Sequence, residues 1–327
     1  MKKALKVLGY VLAAVILIAG SAVTYLYARK PDMAPPAGVQ IERTAERFAR
    51  GKYLFTLTDC DGCHSERDFT RFGGPVVPGG RLAGAVFPKE MGLPGTVVAP
   101  NITPDVETGI GAWTDGEIVR AIREGIGRDG NSLFPMMPYQ ALRKMSDEDA
   151  YSLVAYLRTI PPVKRRHPRT QIMFPVSLMV KGAPKPTGHV PQPDLSTKRK
   201  RGEYLVSLAG CQGCHTPSLG GGEKFTFPGV TIVSANISSD IHTGIGRLSE
   251  QDFVDKFAQY RDYVANGSPK VGLQSFTLMP WLTFATLPDE DLRAIYHYLH
   301  SLPPVDKSVE THPGFDPQVK QMLVSTK

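Results

Sequence analysis

The stretch Cys60-Asp61-Gly62-Cys63-His64 returns 151 positions later as Cys211-Gln212-Gly213-Cys214-His215. Two thiols three positions apart on one helical turn can each add to a vinyl group of a haem, and the adjacent imidazole then meets the iron from the same face. The repeat therefore reads as two covalent haem c sites, with Cys60, Cys63, Cys211 and Cys214 as attachment points and His64 and His215 as iron ligands. A zinc site would need four thiolates together or extra histidines. A dithiol redox pair needs no following histidine in both copies. All four cysteines are used by the two motifs, so none remains for a structural disulfide or a thiolate-ligated iron.

The flanking sequence repeats too. Gly51 and Gly202 stand nine residues before each motif and permit close backbone approach. A helix is expected from about Ile41 into the first motif, with Ile41, Ala45, Phe48 and Phe55 on one face. Its partner is a helix capped by Ser146 and Asp149, presenting Leu153, Tyr156 and Leu157 before Pro161-Pro162. The second copy sets Gly202, Tyr204 and Leu205 against Ile295 and Tyr298, ahead of Pro303-Pro304. A third helix is capped by Thr114 with Glu117, and in the second copy by Ser249 with Asp252. Asn101 matches Asn236 at an offset of 135, so the first copy holds 16 extra residues after its motif, read as loop near Gly73 to Gly95.

What closes the open face of each iron separates a carrier from an enzyme. Aligning Met137-Pro138 with Met279-Pro280, at an offset of 142, makes Met137 and Met279 the candidate sixth ligands and sets Met136 opposite Leu278. Met145 and Met173 read as core filler. His242, His297 and His300 have no counterpart in the first copy, where Glu107, Ala155 and Arg158 stand. Asn101, Asn236 and Trp113 are expected to shape the propionate edges.

The runs Asn101-Ile102-Thr103-Pro104-Asp105, Thr108-Gly109-Ile110-Gly111-Ala112-Trp113-Thr114 and Met137-Pro138-Tyr139 carry a resemblance. The chain resembles c-type cytochromes with two haem domains in tandem, and more narrowly the cytochrome c subunits of membrane-bound bacterial alcohol and gluconate dehydrogenases, from about Gly51 to about Val305. Those subunits typically hold three haem motifs, and this chain holds two. The resemblance implies a mostly α fold of two tandem class I cytochrome c domains plus an N-terminal transmembrane helix. The expected division is an anchor at 1–30, a first domain at 31–163, a basic linker at 164–200 and a second domain at 201–327. It also implies two covalently bound haem c groups and electron transfer rather than catalysis. Electrons would come from a dehydrogenase or a quinol-oxidising complex and pass to an oxidase, a reductase or another cytochrome. The rival reading is a dihaem enzyme such as a peroxidase, which needs one open iron face.

The 22 residues from Val7 to Ala28 carry no charge, enough helix to cross a bilayer. A cleaved signal peptide ending near Gly20-Ser21-Ala22 is the alternative. The resemblance implies haem attachment outside the cytoplasmic membrane, hence a single-pass inner-membrane protein with its haem domains in the periplasm. The formal charge of +7 does not indicate nucleic acid. Five of those charges, Lys2, Lys3, Lys6, Arg29 and Lys30, fall in residues 1–30 without an acid, leaving +2 for the remainder, and haem propionates would offset that. Pro31 to Gly38 reads as a spacer lifting the first domain off the membrane. Lys164 to Arg201, with ten basic residues and the single acid Asp194, reads as a solvated linker. The sharper alternative is a strap setting basic groups near propionates, an acidic partner or anionic lipid.

Overall fold

The uncharged N-terminal run forms one helix, α1 (Lys2–Ala28), in the computed structural model, which describes residues 2–227 and 229–313. The end of the expected second domain, 314–327, lies outside the described residues. None of α1 is buried, and its most apolar 18-residue window has a mean hydropathy of 2.3. At 1.5 Å per residue the helix is about 40 Å long. Residues 31–38 do not act as a free spacer. Pro31 is buried, Arg120 Nη1 donates to the Ala34 carbonyl at 3.4 Å, and a Cβ at Gly116 would lie 1.9 Å from the Ala37 oxygen.

Helix α2 (Ala45–Leu57) starts later than its apolar spacing suggests. The Thr44 hydroxyl caps it, accepting from Arg47 N at 3.2 Å, while Ile41 N donates to the Asp115 carboxylate at 3.3 Å. Its buried face is Gly51, Leu54, Phe55 and Leu57; Ala45 is exposed. Asp59 then takes a left-handed conformation (φ 47) and starts a separate turn, α3 (Cys60–His64). Strands β1 (Ala85–Phe87) and β2 (Gly95–Ala99) pair antiparallel. Helix α4 (Asp115–Glu124) opens on the Thr114–Glu117 capping box, followed by α5 (Tyr139–Leu142) and α6 (Asp147–Leu157). α2 and α6 meet at Gly51, where a Cβ would sit 1.9 Å from the Ser152 carbonyl oxygen.

The basic stretch is largely exposed, as a solvated linker would be, but parts of its backbone are pinned to this first half. β3 (Gln171–Ile172) adds to β2 with Ile172 opposite Gly95, and α7 (Val176–Met179) follows. Thr187 N then donates to Glu124 Oε1 at 2.9 Å, and His189 Nδ1 lies 2.6 Å from Asp147 Oδ2. The order of elements then recurs: α8 (Lys198–Leu208), α9 (Cys211–His215), a β4 (Lys224–Phe227) and β5 (Val230–Val233) hairpin, and α10 (Glu250–Ala258) on a Ser249–Asp252 capping box. α11 (Arg261–Asn266), α12 (Trp281–Phe284) and α13 (Asp289–His300) complete it. At Gly202 a Cβ would again lie 1.9 Å from a carbonyl oxygen, that of Ala294.

Leu82 and Leu219 fix the correspondence between the halves. Both are buried and left-handed (φ 56 and 60), and their carbonyls accept from Ile102 N and Ile237 N, each at 2.9 Å. Leu82 follows His64 by 18 positions and Leu219 follows His215 by 4, so 14 of the 16 extra residues precede Leu82. This corrects the expected loop at Gly73 to Gly95, which contains Leu82 and Ala83 in the core as well as β1. The inserted segment instead clasps the second half. Phe72 N donates to the Pro269 carbonyl and Val271 N to the Thr70 carbonyl, both at 2.9 Å, and the Phe72 ring stacks on Tyr260 at 4.8 Å.

A second contact between the halves is reciprocal. Tyr53 Oη donates to Asp291 Oδ2 at 2.8 Å, and Tyr204 Oη donates to Asp149 Oδ2 at 2.7 Å. Each aspartate also pairs with an arginine of its own half: Arg50 Nε to Asp149 at 2.7 Å, Arg201 Nε to Asp291 at 2.6 Å. Buried apolar residues of both halves form one continuous core around these contacts. A fully buried leucine or phenylalanine there contributes about 1.5–3 kcal/mol.

Candidate haem sites

Each motif occupies a single turn after a left-handed residue, Asp59 before α3 and Gly210 (φ 66) before α9. That turn puts Cys60, Cys63 and His64 together, and likewise Cys211, Cys214 and His215. His64 Nδ1 donates to the Pro100 carbonyl at 2.8 Å and His215 Nδ1 to the Ala235 carbonyl at 2.7 Å. In a neutral imidazole this leaves Nε2 with its lone pair free, as an iron ligand requires. Burial lowers both histidine pKa values and so favours that neutral form.

The four thiols are free. Burial pushes Cys60 up to about 12, Cys63 up to about 11 and Cys211 up to about 12, and raises Cys214. Neutral, reduced thiols on one turn, each pair beside a pre-oriented imidazole, fit covalent haem. Among the described residues no three His, Cys, Asp or Glu side chains gather to hold a metal ion, so the cysteines do not form the cluster a zinc site needs.

Met137 and Met279 occupy matching positions. Each precedes a proline of similar conformation (Pro138 φ −80, ψ 41; Pro280 φ −77, ψ 58) that opens a short helix, α5 or α12. Both lie against the same apolar core as Cys60 and Cys211, whereas Leu278, opposite Met136, packs in a separate cluster with Phe276. Met145 is fully buried filler as expected; Met173 is 55% exposed and is not. His242 contacts Arg247 and His297 contacts Glu250.

The amides of Asn101 and Asn236, expected at the propionate edges, are engaged by protein partners. Asn101 Nδ2 donates to the Val163 carbonyl at 2.7 Å and to Thr108 Oγ1 at 3.0 Å, and its Oδ1 accepts from Thr103 N at 2.9 Å. Asn236 does the same toward Val305, Thr243 and Ser238. Each braces the loop whose preceding carbonyl holds the histidine, which makes them positioning residues. Sequence reading also missed Asp59. Its Oδ1 accepts from Thr283 Oγ1 of the second half at 2.9 Å, and burial pushes its carboxyl up to about 6. A cleft of about 820 Å³ between the halves is lined by Asp59, Arg67, Arg71, Tyr263 and Thr283, but by neither His64 nor Met137. It opens beside the clasp and against Asp61 and Gly62 of the first motif.

The family profile described as Cytochrome c matches residues 48–161. The alcohol dehydrogenase (quinone) cytochrome c subunit of Gluconacetobacter polyoxogenes is 32% identical, over 96% of this chain and 65% of that protein. The fructose dehydrogenase cytochrome subunit of Gluconobacter japonicus is 32% identical, over 82% of this chain and 55% of that protein. A protein named diheme cytochrome c-type from Cereibacter sphaeroides is 29% identical, over 90% of this chain and 97% of its own length. The chain thus spans less than two thirds of the two dehydrogenase subunits.

Proposed function

The chain carries a cytochrome c domain, and from that premise we propose that it is a membrane-anchored carrier of single electrons with two tandem cytochrome c domains and two covalently bound haem c groups. Cys60, Cys63, His64 and Met137 would hold the first haem, and Cys211, Cys214, His215 and Met279 would hold the second. α1 anchors the chain in the inner membrane with the haem domains in the periplasm. The carrying observation is the repeated geometry: an imidazole fixed through Nδ1 by a backbone carbonyl, on a core shared with a methionine that leads a Pro-capped turn.

Bound haem c supplies the one-electron chemistry; the protein holds, insulates and tunes it. His64 and His215 orient Nε2, and Met137 and Met279, both half-buried, pack against the shared core. With both candidate sixth ligands methionine, carriage is favoured over peroxidase-type catalysis. The names of the dehydrogenase relatives support a subunit that takes electrons from the organic cofactor of a periplasmic dehydrogenase. A second reading, a shuttle between a quinol-oxidising complex and an oxidase or reductase, is favoured by the 97% coverage of the diheme relative.

Extraction of native membranes separates these readings. After a high-salt wash the protein should stay in the pellet, and mild detergent should release it with two haems per chain. Co-elution with a large flavin- or quinone-dependent protein favours the subunit. Elution alone, with salt-sensitive reduction by a quinol-oxidising complex, favours the shuttle. Recovery in the soluble periplasm with an amino terminus near Val23 would overturn the anchor.

A further inference from the structure

We infer that the segment from Ile172 to Lys181 is a second membrane contact, seated in the outer-leaflet interface beside α1; this rests on the reading of α1 as an anchor. Within seven residues the segment exposes Met173 (55%), Phe174 (68%) and Met179 (71%). It is not a loose loop. Ile172 pairs with Gly95, Met173 N donates to the Pro94 carbonyl at 2.8 Å, and Ser177 N closes back on the Met173 carbonyl at 3.0 Å. A pinned backbone that presents large apolar side chains to the outside has a fixed surface to cover.

What covers it follows from its position. Lys181 Nζ donates to the Tyr27 carbonyl and stands 5.4 Å from the Tyr27 ring centroid. The segment therefore abuts the last turn of the apolar helix. The tether keeps the body close to the helix end, because Pro31 is buried on it and the four residues from Tyr27 to Pro31 span at most about 14 Å. Arg29, Lys30 and Lys181 add positive charge at this level, suited to anionic headgroups, with aromatic and apolar side chains beside them. Two contacts rather than one would fix how the haem domains face the membrane.

Spin labelling of the full-length holoprotein tests this in nanodiscs of phosphatidylethanolamine and phosphatidylglycerol. The thioether bonds leave an introduced cysteine as the only free thiol. Labels at Phe174→Cys and Met179→Cys should show a several-fold higher ratio of collisions with oxygen to collisions with a water-soluble nickel chelate than a label at Ile241→Cys, an exposed site in the second half. A label at Leu17→Cys reports α1 separately. If positions 174 and 179 match position 241 while position 17 lies in lipid, the anchor stands and the second contact is wrong. If position 17 is itself in water, both fall. Labels at 174 and 179 that are open to water in nanodiscs but shielded from both reagents in native membranes would assign the surface to a protein partner and overturn the proposal.

Discussion

The two motifs share a backbone and differ in their surroundings. The first is capped by Asp59 and flanked by the inserted clasp, and His64 is 7% exposed. The second is capped by Gly210, and Cys214 is exposed. A Cβ at Gly62 would lie 2.1 Å from Asp59 Oδ2, while a Cβ at the equivalent Gly213 would meet nothing within 4 Å. On the proposed reading, the repeated residues would set how a haem is held, and the unrepeated ones how much solvent and charge it meets. Exposure and nearby charge both move a haem potential, so the halves should behave alike in assembly and differently in tuning.

The largest effects should be symmetric. Gly51→Ala and Gly202→Ala each drive a methyl group to within 1.9 Å of a backbone carbonyl oxygen that has no rotamer to adjust, which puts the cost at or above the upper end of the roughly 1–3 kcal/mol typical of overpacking. Thermal unfolding monitored through haem absorbance should show the two losses as comparable. A tolerated change at one site and collapse at the other would mean that the halves do not share a packing plan.

Next come the ligand substitutions. A thioether favours reduced iron. Met137→Ala should therefore lower one haem's potential, remove about half of the weak red absorption of sulfur-ligated ferric iron and allow carbon monoxide to bind one haem. Met279→Ala should do the same at the other site. Met136→Ala should do neither; if it opens a haem while Met137→Ala does not, the register is one residue out. A native protein with one haem already reactive to carbon monoxide would point to an enzyme.

The reciprocal tyrosines sharpen the comparison further. A hydrogen bond to a charged group contributes about 1.5–3 kcal/mol, so Tyr53→Phe and Tyr204→Phe should each cost in that range. Tyr204 should cost more, because its oxygen also accepts from Ser146 N at 3.1 Å. Denaturant titrations that rank Tyr53 first would show that the two contacts are not equivalent.

Much of this architecture is readable from spacing because the parts are local: a turn carrying two thiols and a histidine, a capping box, a glycine nine residues before each motif. Helix α2 misleads at Ile41, where a long-range bond to Asp115 competes with helical spacing. The asparagines mislead because their partners, Val163 and Val305, lie more than 60 residues away. The Tyr53–Asp291 and Tyr204–Asp149 pairs are invisible to a pass along one copy. They become visible only when offsets of 151 and 142 are seen as two faces of one interface. Met173 fails as filler because pairing of Ile172 with β2 turns the next residues outward.

The smallest effect expected separates the motifs by pH. Burial pushes Asp59 up to about 6 from an ordinary value of 3.8. The folded protein therefore takes up this proton at a higher pH than the unfolded chain does. Its contribution to stability is fully present below the ordinary carboxylate range and is lost as pH rises through about 6. Ionised Asp59 also sits one residue from Cys60, where negative charge favours ferric iron. The first haem's potential should fall as pH rises through about 6, by about 59 mV for each unit by which reduction raises the Asp59 pKa. The second haem, with Gly210 in the equivalent place, should lack that component. Asp59→Asn can still hydrogen-bond Thr283 and should flatten both dependences. Potentiometric titration of the native protein and the variant at several pH values decides it: an unchanged slope in the variant, or equal slopes at the two native haems, would place the proton elsewhere.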